Sequence, residues 1–197
     1  MNPINIPKVV AEPPKNFKTA AEKIKWQTSD FLSKLQSSHT ETIIEFLETK
    51  AKPIKIRSKE NNLYVYDNIL MYRTNGHDAY TLEQNLKAVE DSELAPKFAE
   101  YFQLGDDDFL TVMTVDAENI IPYSEAAGKI SSKTKYLYKS NISKLISKGI
   151  LNREIFANKD TRFVTSDGKR IFCADWGNIS FLDKSEREQI LKSIEKF

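Results

Sequence analysis

Phe17, Ala21, Ile24, Thr28, Phe31 and Leu35 recur at spacings of four and three. That spacing is one face of a helix and predicts a helix over residues 17–36. Ser37-Ser38 interrupts it, and Ile43, Ile44, Phe46 and Leu47 mark a second, short helix. At Pro53 the period changes. Ile54–Ile56, Leu63–Tyr66 and Ile69–Tyr72 read as three strands of an antiparallel meander, separated by Ser58–Asn62 and by Asp67-Asn68. A helix then carries Leu82, Leu86 and Val89 on one face, and Thr81 with Gln84 has the spacing of a capping box at its start. After Pro96, Phe98–Gln103 and Phe109–Val115 are two more strands around a Gly105–Asp108 turn.

Asp116 to Gly128 reads as a connector. A long helix begins near Ser131, with Tyr138, Ile142, Leu145 and Ile146 inward and Lys135, Lys139, Lys144 and Lys148 outward. The lysines form a solvated face or, alternatively, a phosphate-binding stripe. Gly149 is a natural stop. Arg162 to Ala174 is a hairpin turned by Ser166-Asp167-Gly168, and a last helix opens at a second capping-box spacing, Ser185 and Glu188. Five antiparallel strands with one helix after the third make a small α+β unit, and mainly helical chain follows it.

Composition narrows this little. The chain has 197 residues, with 29 Lys+Arg against 28 Asp+Glu, so net charge argues for neither a nucleic-acid nor a membrane partner. No apolar run approaches the roughly 20 residues of a membrane helix. The start, with Pro3, Pro7, Pro13 and Pro14, lacks the apolar core of a Sec-type signal and reads as an extended tail over residues 1–15. Cys173 is the single cysteine, which suits a small core residue and a reducing compartment.

The stretches LAPKFAEYFQLGDDDFLTVMTV (Leu94 to Val115) and GILNREIFANKDTRFVTSDGKRIFCADWGNI (Gly149 to Ile179) bear on function. With the order of elements, they resemble the protein-kinase-like superfamily. The first resembles the segment after the small-lobe helix, and the second the catalytic loop, its hairpin and the Asp-Phe-Gly turn. The resemblance spans about residues 50 to 197 and lies in order and spacing. It implies a two-lobed α+β fold: an extra N-terminal helical segment (16–50), a five-stranded antiparallel small lobe (51–118) and a truncated helical large lobe (119–197). Only a connector and one helix follow Gly177, as in small bacterial effector kinases.

The resemblance also assigns roles. Kinases position a triphosphate and Mg2+ by electrostatics. Asp175, in Asp175-Trp176-Gly177, matches the metal aspartate; the structural alternative is an aspartate capping a turn. Arg73, at the end of the third strand where the family places lysine, becomes the phosphate cation, with Glu83 as its helix partner. Asn152-Arg153-Glu154 stands for His-Arg-Asp, making Glu154 the carboxylate that orients the substrate hydroxyl, one methylene longer than aspartate. Asn158 and Asp160 both qualify as the second metal ligand. The stretch between the first two strands has no glycine. Asp106-Asp107-Asp108 reads as a hairpin turn rather than a cation site.

Three readings follow: a degenerate, pseudokinase-type module with a protein partner; an active phosphotransferase using ATP and Mg2+; and an unrelated α+β interaction domain. The first is favoured, because several roles depart from the family pattern together. The expected location is the cytoplasm or a host cell reached by a non-Sec route.

Overall fold

The computed structural model describes residues 17–55, 62–126, 128, 130–157 and 159–194. The proline-rich tail, Ile56, most of the Ser58–Asn62 connector and Asn158 lie outside the described residues. Helix α1 (Ala20–Gln36) is capped by Thr19, whose side chain accepts the Glu22 N–H. It therefore starts later than Phe17, which instead packs against Trp26 from outside the helix, with ring centroids 5.9 Å apart. Helix α2 (Thr40–Thr49) follows.

Strands β1 (Lys52–Lys55), β2 (Asn62–Tyr66), β3 (Ile69–Thr74), β4 (Lys97–Gly105) and β5 (Asp108–Thr114) form one antiparallel sheet in the order β1-β2-β3-β5-β4. Asp67 takes a φ of 52° in the two-residue turn between β2 and β3. Helix α3 (Gly76–Ala88) corrects the expected start at Thr81. Its cap is Asn75, whose side chain accepts the Asp78 N–H, while Asp107 accepts the Gly76 N–H at 2.9 Å. Glycine fits closely there: a Cβ at position 76 would come within 2.9 Å of the Phe109 ring, which would have to shift. Thr81 thus lies inside the helix, and Glu83 sits two turns in rather than at the start.

The expected connector carries structure of its own, strand β6 (Ile120–Pro122) and the short helix α4 (Tyr123–Ala126). Helix α5 (Ser132–Ser147) is capped by Ser131, as its polar start suggests, and ends at Gly149 with a φ of 84°. Then come β7 (Ile150–Asn152), a single-turn helix α6 (Glu154–Ala157), a 3-10 turn (Lys159–Thr161), β8 (Arg162–Thr165), β9 (Ile171–Cys173), β10 (Ile179–Phe181) and α7 (Lys184–Ile194). Two small antiparallel sheets result, β6-β8-β9 and β7-β10. The last helix is capped not at Ser185 and Glu188 but by a reciprocal pair two residues earlier. Asp183 accepts the Glu186 N–H, and Glu186 accepts the Asp183 N–H.

Strand alternation sends the sheet's side chains to two different cores. On one face Tyr64, Ile69, Met71, Leu110 and Val112 pack with Leu35, Ile43 and Leu47 of α1 and α2. Phe31, Phe46 and Tyr66 close that side as an aromatic trio with centroids 5.1–5.6 Å apart. On the other face Leu63, Val65, Leu70, Tyr72 and Met113 join Leu82 and Leu86 of α3. This core continues through Ile146 and Phe163 to Trp176. Fully burying each such large apolar side chain stabilises the fold by about 1.5–3 kcal/mol. Among the described residues no helix is long and apolar enough to cross a membrane.

Candidate functional site

The Asp175-Trp176-Gly177 turn is held from every side. Trp176 is fully buried, and its indole N–H donates to the Cys173 carbonyl at 2.8 Å. Asn85 of α3 donates its amide to the carbonyls of Trp176 (2.7 Å) and Gly177 (3.3 Å). Asn152, almost wholly buried at the end of β7, donates to the Asp175 carbonyl at 2.7 Å. Asp175 itself is partly exposed, and its Oδ1 accepts the Gly177 N–H at 3.0 Å. The carboxylate therefore caps its own turn.

Asn152 has a second task. Its Oδ1 accepts the Glu154 N–H at 2.9 Å, so one buried amide links the Asp175 turn to the segment that carries Glu154. The Asn152 side chain thus ties the two segments together. Cys173 registers both acids. Burial pushes its thiol up to about 12, and the negative charges of Asp175 and Glu154 act in the same direction. The cysteine is a buried core residue. Asp160 lies in the 3-10 turn just before β8 and is partly exposed.

Arg73 and Glu83 are not brought together. Arg73 shares the parity of Ile69 and Met71, the face covered by α1 and α2, and there it donates to both carboxylate oxygens of Asp108 at 2.5–3.1 Å. That hydrogen bond is the main reason its pKa is raised; Glu48 of α2 adds to it. Glu83 is mostly buried and pairs with Lys87 one turn along α3, at 2.5 Å. The Lys87 ammonium lies 5.5 Å from the Phe98 ring centroid. On the α3 face of β3, the side chains are Leu70, Tyr72 and Thr74. Two acids of the Asp106–Asp108 run are used internally: Asp107 caps α3 and Asp108 holds Arg73.

Sequence reasoning missed the positioning roles of three residues. Arg170, in the β8–β9 hairpin, donates to the Glu93 and Ala95 carbonyls. Next to it the Cys173 N–H donates to the Leu94 carbonyl at 2.9 Å. These bonds join the Leu94–Val115 stretch to the Gly149–Ile179 stretch, the two segments whose sequences resemble kinases. Asn85 and Asn152 complete the set. Asn152 was marked by its place before Arg153-Glu154; Asn85 and Arg170 had no local signal.

Mg2+ takes carboxylate oxygens together with water and substrate phosphates. The Asp175 carboxylate is of that donor type, and Asn152 links its turn to the Glu154 backbone. Among the described residues no three His, Cys, Asp or Glu side chains are grouped to hold a metal alone. The triphosphate fits less well, because β3 offers no cation on the α3 face. Thr74 and Thr111 instead keep buried hydroxyls without a hydrogen-bond partner.

No family model matches the sequence, and no curated protein matches it. Among solved structures, the bifunctional kinase-methyltransferase WbdD is similar over 70% of this chain and 33% of its own, at 11% identity and a TM-score of 0.48. The Cydia pomonella granulovirus kinase PK-1 is similar over 72% of this chain and 56% of its own, at 10% identity and a TM-score of 0.42. The chain thus spans a third of the first and just over half of the second. Both likenesses lie at 10–11% identity with TM-scores below 0.5, so the fold rests on the chain's own elements: α+β with a five-stranded antiparallel sheet.

Proposed function

We propose that the chain is a kinase-like binding and regulatory module with a degenerate phosphate site. The sheet with α3 forms its small lobe, and the elements from β6 to α7 form a minimal large lobe. One observation carries this reading. The single cation of β3, Arg73, is committed to Asp108 on the sheet face turned away from α3. Phosphoryl transfer rests on fixed positive charge around the phosphates, and Leu70, Tyr72 and Thr74 supply none. A protein partner fits the surface along α3 and β4, where Tyr80 and Tyr101 are 63% and 49% exposed beside the Lys87–Phe98 contact. Exposed tyrosines of this kind are enriched at interfaces.

Thermal unfolding with and without ATP and Mg2+ tests the reading. A ligand at 100 times its Kd stabilises by about 2.7 kcal/mol; the degenerate module shows no such shift at millimolar nucleotide. A magnesium-dependent shift of that size, abolished in Asp175→Ala, would overturn the proposal.

The Asn152 link between the Asp175 turn and Glu154 favours a second reading, an ATP- and Mg2+-dependent phosphotransferase. Transfer of labelled γ-phosphate to a protein acceptor, lost in both Asp175→Ala and Glu154→Gln, would establish it.

A further inference from the structure

A cavity of about 410 Å³ opens among α4, α5, α6, α7 and the β8–β9 hairpin. Neither Asp175 nor Glu154 lines it. Its size falls within the range of small-molecule sites. Ile142, Ile155 and Ile171 give it an apolar wall. Among the described residues its charged lining is Lys135, Lys139 and Arg162, with no carboxylate.

Two polar atoms on these lining residues are buried without a hydrogen-bond partner, the Tyr138 hydroxyl and the Arg162 Nε. Each is a donor, and a buried donor left unpaired is destabilising enough to call for an explanation. The guanidinium is fixed in place, because Arg162 Nη2 donates to the Ile155 carbonyl at 2.7 Å and to that of Phe156 at 3.3 Å. Its charge acts directly on the Tyr138 phenol. Burial pushes that phenol up, so it remains an O–H donor at neutral pH. Two unmet donors, one of them on a fixed guanidinium, and apolar walls together describe a receptor for one anionic group carried on an apolar body.

We propose that this cavity binds a small organic anion, a carboxylate or a phosphate ester, with its charged group on Tyr138 and Arg162 and its apolar part against the isoleucines. Lys135 adds positive charge at the edge of the cavity. The site is independent of the nucleotide reading. It does touch that region, since Ile155 and Phe156 directly follow Glu154 on α6.

Calorimetry on the full chain with 2-naphthoate, 1-naphthyl phosphate and neutral 2-naphthol tests this. At least one of the two anions binds with a submillimolar Kd and 2-naphthol is at least about tenfold weaker, the difference expected for a charge-assisted hydrogen bond. Whichever anion binds tighter identifies the charged group. Tyr138→Phe removes a hydroxyl that has no partner in the free protein, so its melting temperature stays level or rises while anion affinity falls by about tenfold. Lys135→Ala, at an exposed position, weakens the same anion and reduces its salt dependence. Binding of 2-naphthol as tight as that of the anions, no binding of either anion below about 1 mM, or unchanged anion affinity in a folded Tyr138→Phe variant would each overturn the proposal.

Discussion

Arg73 donates from Nε and Nη2 to both carboxylate oxygens of Asp108, tying the end of β3 to the start of β5 on the α1–α2 face of the sheet. The pair commits the one cation of β3 to the sheet face covered by α1 and α2. Parity decides it: Tyr72, one residue earlier, takes the face that looks toward α3.

Arg73→Ala should therefore act on stability alone. The pair is about a third exposed on each side, so the loss is small, about 0.5–1 kcal/mol in a denaturant titration. Any nucleotide or partner affinity stays where it was. A tenfold drop in nucleotide affinity without unfolding would contradict the assignment of this side chain to the outer face.

Asn85 holds the Trp176 and Gly177 carbonyls and is the α3 side chain that fastens the Asp175 turn. Asn85→Ala leaves two partly buried acceptors less well satisfied and costs about 1–2 kcal/mol. Asn85→Asp is worse, because a carboxylate would face two carbonyl oxygens. Faster hydrogen exchange of amides in the 175–179 segment, with the β2–β3 amides unchanged, is the expected signature.

Cys173 sets a pH limit. Its folded pKa, about 12, stands above the ordinary 9.0 because burial disfavours the thiolate. Stability from the protonated thiol is complete below pH 9. It is lost as pH climbs toward 12, because the unfolded chain releases the proton first. Between those values Cys173→Ala should lose stability with pH less steeply than the parent, by up to about 1.4 kcal/mol per pH unit. In the native protein the thiol resists alkylation at pH 8 and reacts only on unfolding.

Thr111 is fully buried on the α3 face of β5, and its hydroxyl has no partner. Thr111→Val keeps the β-branched shape and removes the unmet group, so melting should be unchanged or raised, by about 1 kcal/mol at most. A loss of more than that would mean the hydroxyl is bonded in solution.

Much of the scaffold is local information. The three- and four-residue spacing of Phe31 and Leu35, the alternation of Leu63 to Tyr66, and Gly149 at a positive φ each act within a few residues, so the sequence reports them directly. The Asp-Trp-Gly turn and the hairpin before it were legible for the same reason. The start of α3 was not, because part of its capping comes from Asp107, 31 residues away. Nor was the end of β3. A strand's alternation separates Arg73 from Tyr72, but only the packing of α1 and α2 on one face and α3 on the other says which face is which. The amides of Asn85 and Asn152 likewise acquire their meaning only when chain segments far apart in sequence close around Asp175. Sequence by itself determined most of the helices and the five strands of the main sheet; tertiary packing decided the elements within the 116–128 connector, the helix starts and which side chains surround Asp175, since facing and contact across distant segments belong to the assembled core.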